Sequence, residues 1–198
     1  MVTSMSASVS PLGRLVSVLL GALVLVAVGA GIAGMTLDNH FQASASVIIA
    51  APRQAVHAFV ASPRQHATWI GWDDGVDPSL QRTYEGPDAG VGAASRFEGE
   101  LVGAGSLRVD AEDPDRGVEW TQALPNGVRS RGSVRYEALA PDRTRVTWRE
   151  EGTIPRPHGP FFAGLVSRSL TRHQERALLF LSAAAEGRPP PNRNPRSP

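Results

Sequence analysis

The pattern of apolar and polar residues divides the chain into three parts. An uncharged apolar run extends from Leu15 to Met35, and a helix of about 20 such residues crosses a bilayer. Residues 80–153 alternate between apolar and polar positions, which is typical of strands with one buried face. Residues 160–185 repeat their apolar positions every three or four places, as an amphipathic helix does. The pattern therefore predicts an apolar helix, a group of strands and a long closing helix.

Seven strands and two short helices are expected before that closing helix. A first strand covers Ala43–Ala50, and short helices then run over Pro52–Ala61 and from Ser62-Pro63 to about Ile70. The remaining strands are separated by turn residues, among which we place a turn at Gly103–Gly105. These strands are Leu80–Glu85, Ala93–Val102, Ser106–Glu112, Gly117–Leu124, Arg129–Leu139 and Arg143–Thr153. Short connections imply an antiparallel sheet, and helices on one side of it give an α+β fold.

Alternation assigns an inner and an outer face to the sheet. The residues expected on the inner face are Phe97, Leu101, Leu107, Val109, Val118, Trp120, Val134, Tyr136, Val146 and Trp148. Arginine and glutamate fill the positions between them and face solvent. The long helix, Pro160–Ala185, is expected to cover the inner face with a stripe of residues that excludes Gln174. That stripe comprises Phe162, Val166, Ser169, His173, Ala177, Phe180 and Ala184.

The apolar run is interpreted as a single transmembrane helix, residues 15–36, between a cytoplasmic segment, 1–14, and a linker, 37–42. Arg14 before the run and Asp38 after it place the globular part, residues 43–187, outside the cell membrane. The alternative is a secreted protein whose signal is cleaved at the small residues Ala43-Ser44-Ala45. A signal core is usually shorter, and that site lies well beyond the apolar run, so we favour an anchor. Residues 188–198 form a Pro/Arg-rich tail that we expect to be disordered.

Composition excludes several classes of function. There is no cysteine, and the formal net charge is only +1, which argues against nucleic acid as a partner. The five histidines show no metal-binding spacing, so neither a metal nor another cofactor is expected. Small residues in the apolar run, Gly29 with Ala33 and Ala30 with Gly34, allow a weak anchor-mediated dimer, although such residues are also common in membrane helices generally.

Several segments, taken in order, resemble the START-like SRPBCC superfamily, which includes Bet v 1-like proteins and bacterial polyketide cyclase/dehydrase relatives. These segments are Val47–Pro52, Trp69 and Trp72 with Asp77, Tyr84–Gly86 with Gly90–Ala93, Arg143–Trp148 and the closing helix. The resemblance implies a helix-grip fold, in which a curved seven-stranded sheet wraps around the long terminal helix. It also implies a cavity between sheet and helix for an apolar molecule such as a lipid, a quinone or a polyketide. Its members include binding proteins and a few enzymes.

The candidate ligand-binding residues are those that alternation and helical spacing direct toward such a cavity. They are Trp69, Trp72, Phe97, Trp120, Gln122, Tyr136, Trp148, Phe162 and Val166. Glu150 and His173 are the candidates for proton transfer. Each also has a structural interpretation: Glu150 emerges into water or pairs with Arg131, and His173 is hydrogen-bonded in the core. Asp73, Asp74 and Asp77 are interpreted as capping and turn residues rather than a cation site.

Three functions remain open on the sequence alone. The first is a membrane-anchored protein that binds a hydrophobic small molecule. The second is a cyclase or dehydratase that uses Glu150 or His173, and the lack of an evident acid/base pair makes it the weaker of the two. The third is an interaction or envelope-stress module whose core is fully packed and has no cavity.

Overall fold

The helices and strands follow the predicted order in a computed structural model that describes residues 11–70 and 77–192. Residues 1–10, 71–76 and 193–198, which include Trp72, Asp73, Asp74 and the end of the expected tail, lie outside this description. The elements are α1 (Pro11–Thr36), β1 (His40–Ile49), α2 (Arg53–Val60), α3 (His66–Trp69), β2 (Gln81–Glu85), β3 (Ala94–Gly99), β4 (Gly103–Asp113), β5 (Gly117–Ala123), β6 (Arg129–Ala140), β7 (Arg143–Thr153) and α4 (Gly159–Ala185).

The seven strands form one antiparallel sheet in the order β1-β7-β6-β5-β4-β3-β2. Its inner face carries the residues that alternation predicts, with Val109, Val118, Trp120, Val134 and Val146 fully buried. The α+β helix-grip architecture is therefore confirmed. The assignment of Leu101 to the inner face is wrong, because Leu101 lies in a turn and is exposed to solvent.

The turn between β3 and β4 is also misplaced in the sequence prediction. Gly103 and Gly105 belong to β4 and pair with Gly99 and Phe97, and the turn itself is made by residues 100–102. The buried Asp77 carboxylate stabilises this turn, since it accepts the backbone N–H groups of Leu101 (2.8 Å) and Val102 (3.1 Å). The Ser79 hydroxyl, together with these backbone N–H groups, lowers the pKa of Asp77 to about 2. The predicted turn-forming role of Asp77 agrees with this geometry.

Glycine at position 105 serves a close approach rather than a turn. The Phe97 ring lies over Gly105 on the neighbouring strand, where a Cβ atom would collide with it. Two other cross-strand pairs have the same arrangement, Trp120 over Gly132 and Phe41 over Gly152. In each pair the missing side chain leaves room for an aromatic ring to lie flat against the sheet.

Helix α4 packs along β1, the edge strand, and against α2 and α3. Ser167 Oγ accepts the Gln42 N–H (3.2 Å) and Glu186 Oε1 accepts the Ala50 N–H (3.0 Å), so the helix also covers backbone groups of this edge. Its buried residues include Ala163, Gln174, Ala177, Leu178 and Leu181.

The predicted stripe of α4 is therefore wrong in part. Phe162 and Ser169 are exposed, whereas Gln174 is fully buried. Because the helix lies against the edge strand and two short helices, and not flat across the middle of the sheet, its inward face is shifted by about one residue from the predicted one.

Helix α1 is apolar and uncovered along most of its length. Residues Leu12–Thr36 have a mean hydropathy of 2.7, and none of the most apolar window is buried within the protein. The helix is long and apolar enough to span a membrane, although a signal sequence meets the same criteria.

A set of specific contacts joins the end of α1 to the domain. Gly34 is buried against Pro157, and Arg156 Nη1 donates a hydrogen bond to the Gly34 carbonyl (3.2 Å). Asn39 Nδ2 donates to the Ile154 carbonyl (2.7 Å). Because β1 begins at His40, only residues 37–39 separate α1 from the sheet, and the linker is shorter than the predicted 37–42.

Candidate functional site

A cavity of about 160 Å³ lies between the sheet, α3 and α4. Most of its wall is apolar, formed by Phe41, Pro63, Ile70, Phe97, Leu107, Leu124, Val128, Trp148, Val166 and Leu170. Six polar residues complete the lining: His66, Arg82, Ser95, Gln122, Glu150 and His173. An apolar pocket with a few polar groups is the usual form of a small-molecule site.

The structure brings together part of the predicted site. Phe97, Gln122, Trp148 and Val166 line the cavity, and so do both candidate proton-transfer residues. Four predicted residues lie elsewhere: Trp69, Trp120 and Tyr136 are buried in the core, and Phe162 is exposed on α4. Trp72 falls outside the described residues.

Sequence reasoning missed the contribution of β1 and β2 to the wall. Phe41 lies in the part of β1 that was assigned to the linker, and Arg82 is paired directly with Phe97 across β2 and β3. The alternation of Arg82 with Tyr84 places both on the inner face of β2, which was the available sequence signal. Arg82 was not among the predicted site residues, because charged side chains are seldom buried.

Aromatic residues form the floor between the cavity and the core. Trp148 contacts Trp69 and Trp120 edge-to-face, with ring centroids 5.4 and 6.0 Å apart, and its ring centroid lies 6.2 Å from that of His173. His66 in turn contacts Trp69 edge-to-face, with ring centroids 5.5 Å apart. Because Trp69 and Trp120 support Trp148 from behind, Trp148 is the one of these three tryptophans that presents its ring to the cavity.

Glu150 is the buried carboxyl group of this cavity. Ser130 Oγ lies 2.8 Å from Glu150 Oε1 and 3.3 Å from Gln122 Oε1, so the three side chains form a short polar row. Burial raises the pKa of Glu150, and the hydrogen bond from Ser130 opposes this effect only in part. The expected exit into water or pairing with Arg131 is wrong, since Glu150 points inward and Arg131 is exposed and opposite Glu151.

The protonation state of Glu150 determines the direction of these hydrogen bonds. When the carboxyl group is ionised, it accepts the Ser130 hydroxyl proton. When it is protonated, it has a proton of its own to give, either to Ser130 or to an oxygen atom in the cavity, and Ser130 can then donate to Gln122. The raised pKa favours the second state.

The cavity wall contains three basic residues, His66, Arg82 and His173. Burial lowers the pKa of His173, and burial together with the nearby charge of Arg82 lowers that of His66 to about 4, despite its hydrogen bond to the Val60 carbonyl (2.9 Å). Both imidazoles are therefore neutral near pH 7. In the part of the chain that the structure describes, half-buried Arg82 has no carboxylate within ion-pair distance.

A second polar cluster lies away from the cavity. His57 Nε2 is 2.7 Å from Glu112 Oε1, and the Tyr136 hydroxyl lies 3.4 Å from His57 Nδ1. Burial raises the pKa of Tyr136, so its hydroxyl stays protonated. None of the three residues lines the cavity, and they join α2, β4 and β6. We therefore interpret this cluster as structural.

Solved structures with a similar fold come from several bacteria. A protein from Chromobacterium violaceum has 17% identity and a TM-score of 0.53, over 74% of this chain and 98% of its own. A hypothetical protein from Helicobacter pylori has 16% identity and a TM-score of 0.53, over 93% and 99%. A Staphylococcus aureus protein of unknown function has 8% identity and a TM-score of 0.60, over 77% and 97%. At these identities the likeness concerns the fold alone.

Comparison at the level of sequence families is more specific. No curated protein matches the chain. The model of one family, described as polyketide cyclase/dehydrase and lipid transport, matches residues 40–186, which span β1 to the end of α4 and include every residue of the cavity wall. With its helix-grip fold and its cavity beneath α4, the chain belongs to this polyketide cyclase/dehydrase and lipid-transport family.

Proposed function

We propose that this protein is a membrane-anchored module that binds a small hydrophobic molecule carrying a polar oxygen. The observation that carries the proposal is the apolar cavity with Arg82, Gln122 and Glu150 in its wall. A fully packed interaction module would have filled this space with side chains. The family supports the same type of ligand, since its description covers both polyketide chemistry and lipid transport.

The size of the cavity limits the ligand. At about 160 Å³ it is close to engineered apolar cavities of about 150 Å³ that accept benzene. Sites for drug-sized ligands are larger, about 300–1,000 Å³. The cavity in this state therefore suits a single ring or the end of a chain, and a longer molecule would have to extend out of it.

The polar groups of the wall favour an oxygen acceptor on that ligand. The Arg82 guanidinium is a hydrogen-bond donor, and so is Glu150 in its protonated form, and a carbonyl or hydroxyl oxygen can accept from either. An entirely apolar ligand would offer no acceptor to Arg82 and would leave Glu150 with Ser130 as its hydrogen-bond partner. A quinone, a polyketide or the carbonyl end of a lipid all carry such an oxygen.

Helix α1 supports anchoring in a membrane. Cleavage at Ala43-Ser44-Ala45 would cut inside β1, where Ala43 and Ala45 are buried and paired with Glu150 and Trp148. It would also remove Phe41 from the cavity wall. An intact chain, with α1 in the bilayer and the domain on the extracytoplasmic side, is the arrangement that we propose.

The ligand hypothesis is tested with two matched probes, acetophenone and ethylbenzene, on the full chain in detergent micelles. Acetophenone has a carbonyl oxygen that ethylbenzene lacks. We expect acetophenone to bind more tightly, Val166→Trp to abolish binding of both by filling the cavity, and Glu150→Ala with Arg82→Met to weaken only acetophenone. Leu179→Trp, at an exposed position of the same helix, is the control. Equal binding to the Val166→Trp variant and the parent would contradict the proposal. Native mass spectrometry of the untreated protein would identify any ligand that co-purifies.

Enzymatic proton transfer is the second candidate, and one observation favours it. Glu150 and His173 line the same cavity, and burial raises the pKa of the carboxyl group and lowers that of the imidazole, so that both groups are shifted toward their neutral forms. If the protein is an enzyme, Glu150→Gln and His173→Gln should each lower turnover of the co-purifying molecule at least tenfold. Unchanged turnover in the double variant would exclude this mechanism.

A further inference from the structure

The antiparallel topology gathers several loops at the end of the domain where α1 enters. Residues 37–39, 100–102, 124–128 and 154–158 all connect elements at this end, which we call the anchor end. The cavity lies in the half of the domain next to the anchor end. Phe41, Leu124 and Val128 are in the cavity wall, and each belongs to one of these segments or to the strand beside it.

Large apolar side chains are exposed at the anchor end. Phe161 and Leu165, on the first turns of α4, are 53% and 56% exposed, their neighbour Phe162 is 52% exposed, and Leu101 in the β3–β4 turn is 76% exposed. We call these four residues the apolar rim. Aromatic and aliphatic side chains of this size rarely project into water as a group without a partner.

Contacts between the loops fix the rim relative to α1. The Gly34 and Pro157 backbones are in contact, and Gly159 N–H donates to the Pro155 carbonyl (2.9 Å) at the start of α4. Position 127 lies against Pro155, and position 103 lies against Pro125 next to the β3–β4 turn. The apolar surface of α1 and the rim therefore belong to one end of one connected body, with only residues 37–39 between α1 and the sheet.

We infer that the apolar rim inserts into the surface layer of the same bilayer that holds α1. Apolar side chains at a membrane surface lie about 5–10 Å deep, at the boundary between headgroups and acyl chains. The contacts around Gly34 hold the first turns of α4 close to the end of α1, which brings the rim near this layer. The cavity then lies directly above the lipid from which an apolar ligand can enter. This inference rests on the proposed anchoring of α1.

The natural absence of cysteine allows a direct depth measurement on the full chain. Single variants Phe161→Cys, Leu165→Cys and Leu101→Cys are labelled with an environment-sensitive fluorophore and reconstituted into phosphatidylcholine vesicles that contain brominated lipid. Leu179→Cys is the matched control, because Leu179 lies on α4 with a similar exposure, 53%, but near the opposite end of that helix. Leu25→Cys, within α1, reports whether the anchor is in the bilayer.

We expect a blue-shifted emission and quenching several-fold stronger at positions 161, 165 and 101 than at 179. Labels at the rim that behave like the label at 179, while the label at 25 is quenched, would overturn the inference and leave the anchor standing. Absence of quenching at 25 would overturn both the anchor and the inference that rests on it. Circular dichroism of each variant verifies that the fold is retained.

Discussion

Single residues at the cavity illustrate how the sheet makes room for a ligand. Phe41, Phe97 and Trp120 each lie over a glycine on the neighbouring strand, and two of these rings form part of the cavity wall. A side chain on the opposite strand would force the ring upward and into the empty space. Gly152 and Gly105, opposite the two rings of the wall, therefore help to keep a volume open that larger residues would fill.

The neutral histidine at position 66 predicts a pH dependence of stability. Its pKa is near 4 in the folded state and near 6.5 when the chain is unfolded, so its stabilising contribution is complete above pH 6.5 and is lost as the pH falls toward 4. A shift of this size corresponds to about 3 kcal/mol. We expect His66→Gln, which retains a donor for the Val60 carbonyl, to flatten the fall in unfolding free energy between pH 7 and 4.

Denaturant titrations of the full chain in detergent, at several pH values, measure this difference. His173 shifts stability in the same direction as His66, and the raised pKa of Glu150 acts in the opposite one, since its contribution is present at low pH and is lost as the pH rises. Comparison of the parent with the variant isolates His66 from both. Parallel curves for the two proteins would mean that His66 does not titrate as described.

Much of the residue-level assignment could be predicted from alternation, but the division between core and cavity and the inward position of Arg82 could not. Alternation correctly placed Trp148, Phe97 and Gln122 on the inner face. It could not decide which inward aromatic residues pack in the core and which border a cavity, because that depends on the distance between sheet and helix. Arg82 shows the second difficulty, since a charged side chain on an inner face contradicts the hydrophobic pattern.

At the scale of elements, α4 has two functions. It covers the edge of β1 through Ser167 and Glu186, and its Val166, Leu170 and His173 form one wall of the cavity. Its existence and limits were evident from periodicity, but its orientation was not. Helical spacing gives the width of an apolar stripe, whereas the position of the partner elements decides which neighbouring residue points inward.

Two adjacent leucines of α4 test the observed orientation. Leu178 is buried and Leu179 is exposed. We expect Leu178→Ala to lower the unfolding free energy by about 2–5 kcal/mol, as cavity-forming substitutions do. Leu179→Ala should change it by less than about 0.5 kcal/mol. Urea denaturation followed by tryptophan fluorescence measures both, and similar effects of the two substitutions would contradict the orientation of the helix.

At the scale of the whole molecule, the cavity and the apolar rim lie toward the same end of the domain, the end at which α1 enters. Part of the cavity wall comes from segments at this end, and the four rim residues are exposed there. The family match begins at residue 40 and so covers the domain but not α1. Fold and family were accessible from sequence order, whereas the placement of the cavity relative to α1 required the contacts of Gly34, Asn39 and Arg156.

The short connection between α1 and β1 also limits how far the domain can travel. Three residues span roughly 11 Å even when fully extended, and the contacts around Gly34 shorten the tether further. A domain held in this way can exchange cargo with its own leaflet, or with a mobile protein that visits it, but it cannot ferry cargo across an aqueous gap to a second membrane. With α1 in the bilayer, the protein would bind its ligand at a fixed place on the membrane. Transport of that ligand over a longer distance would need a separate carrier.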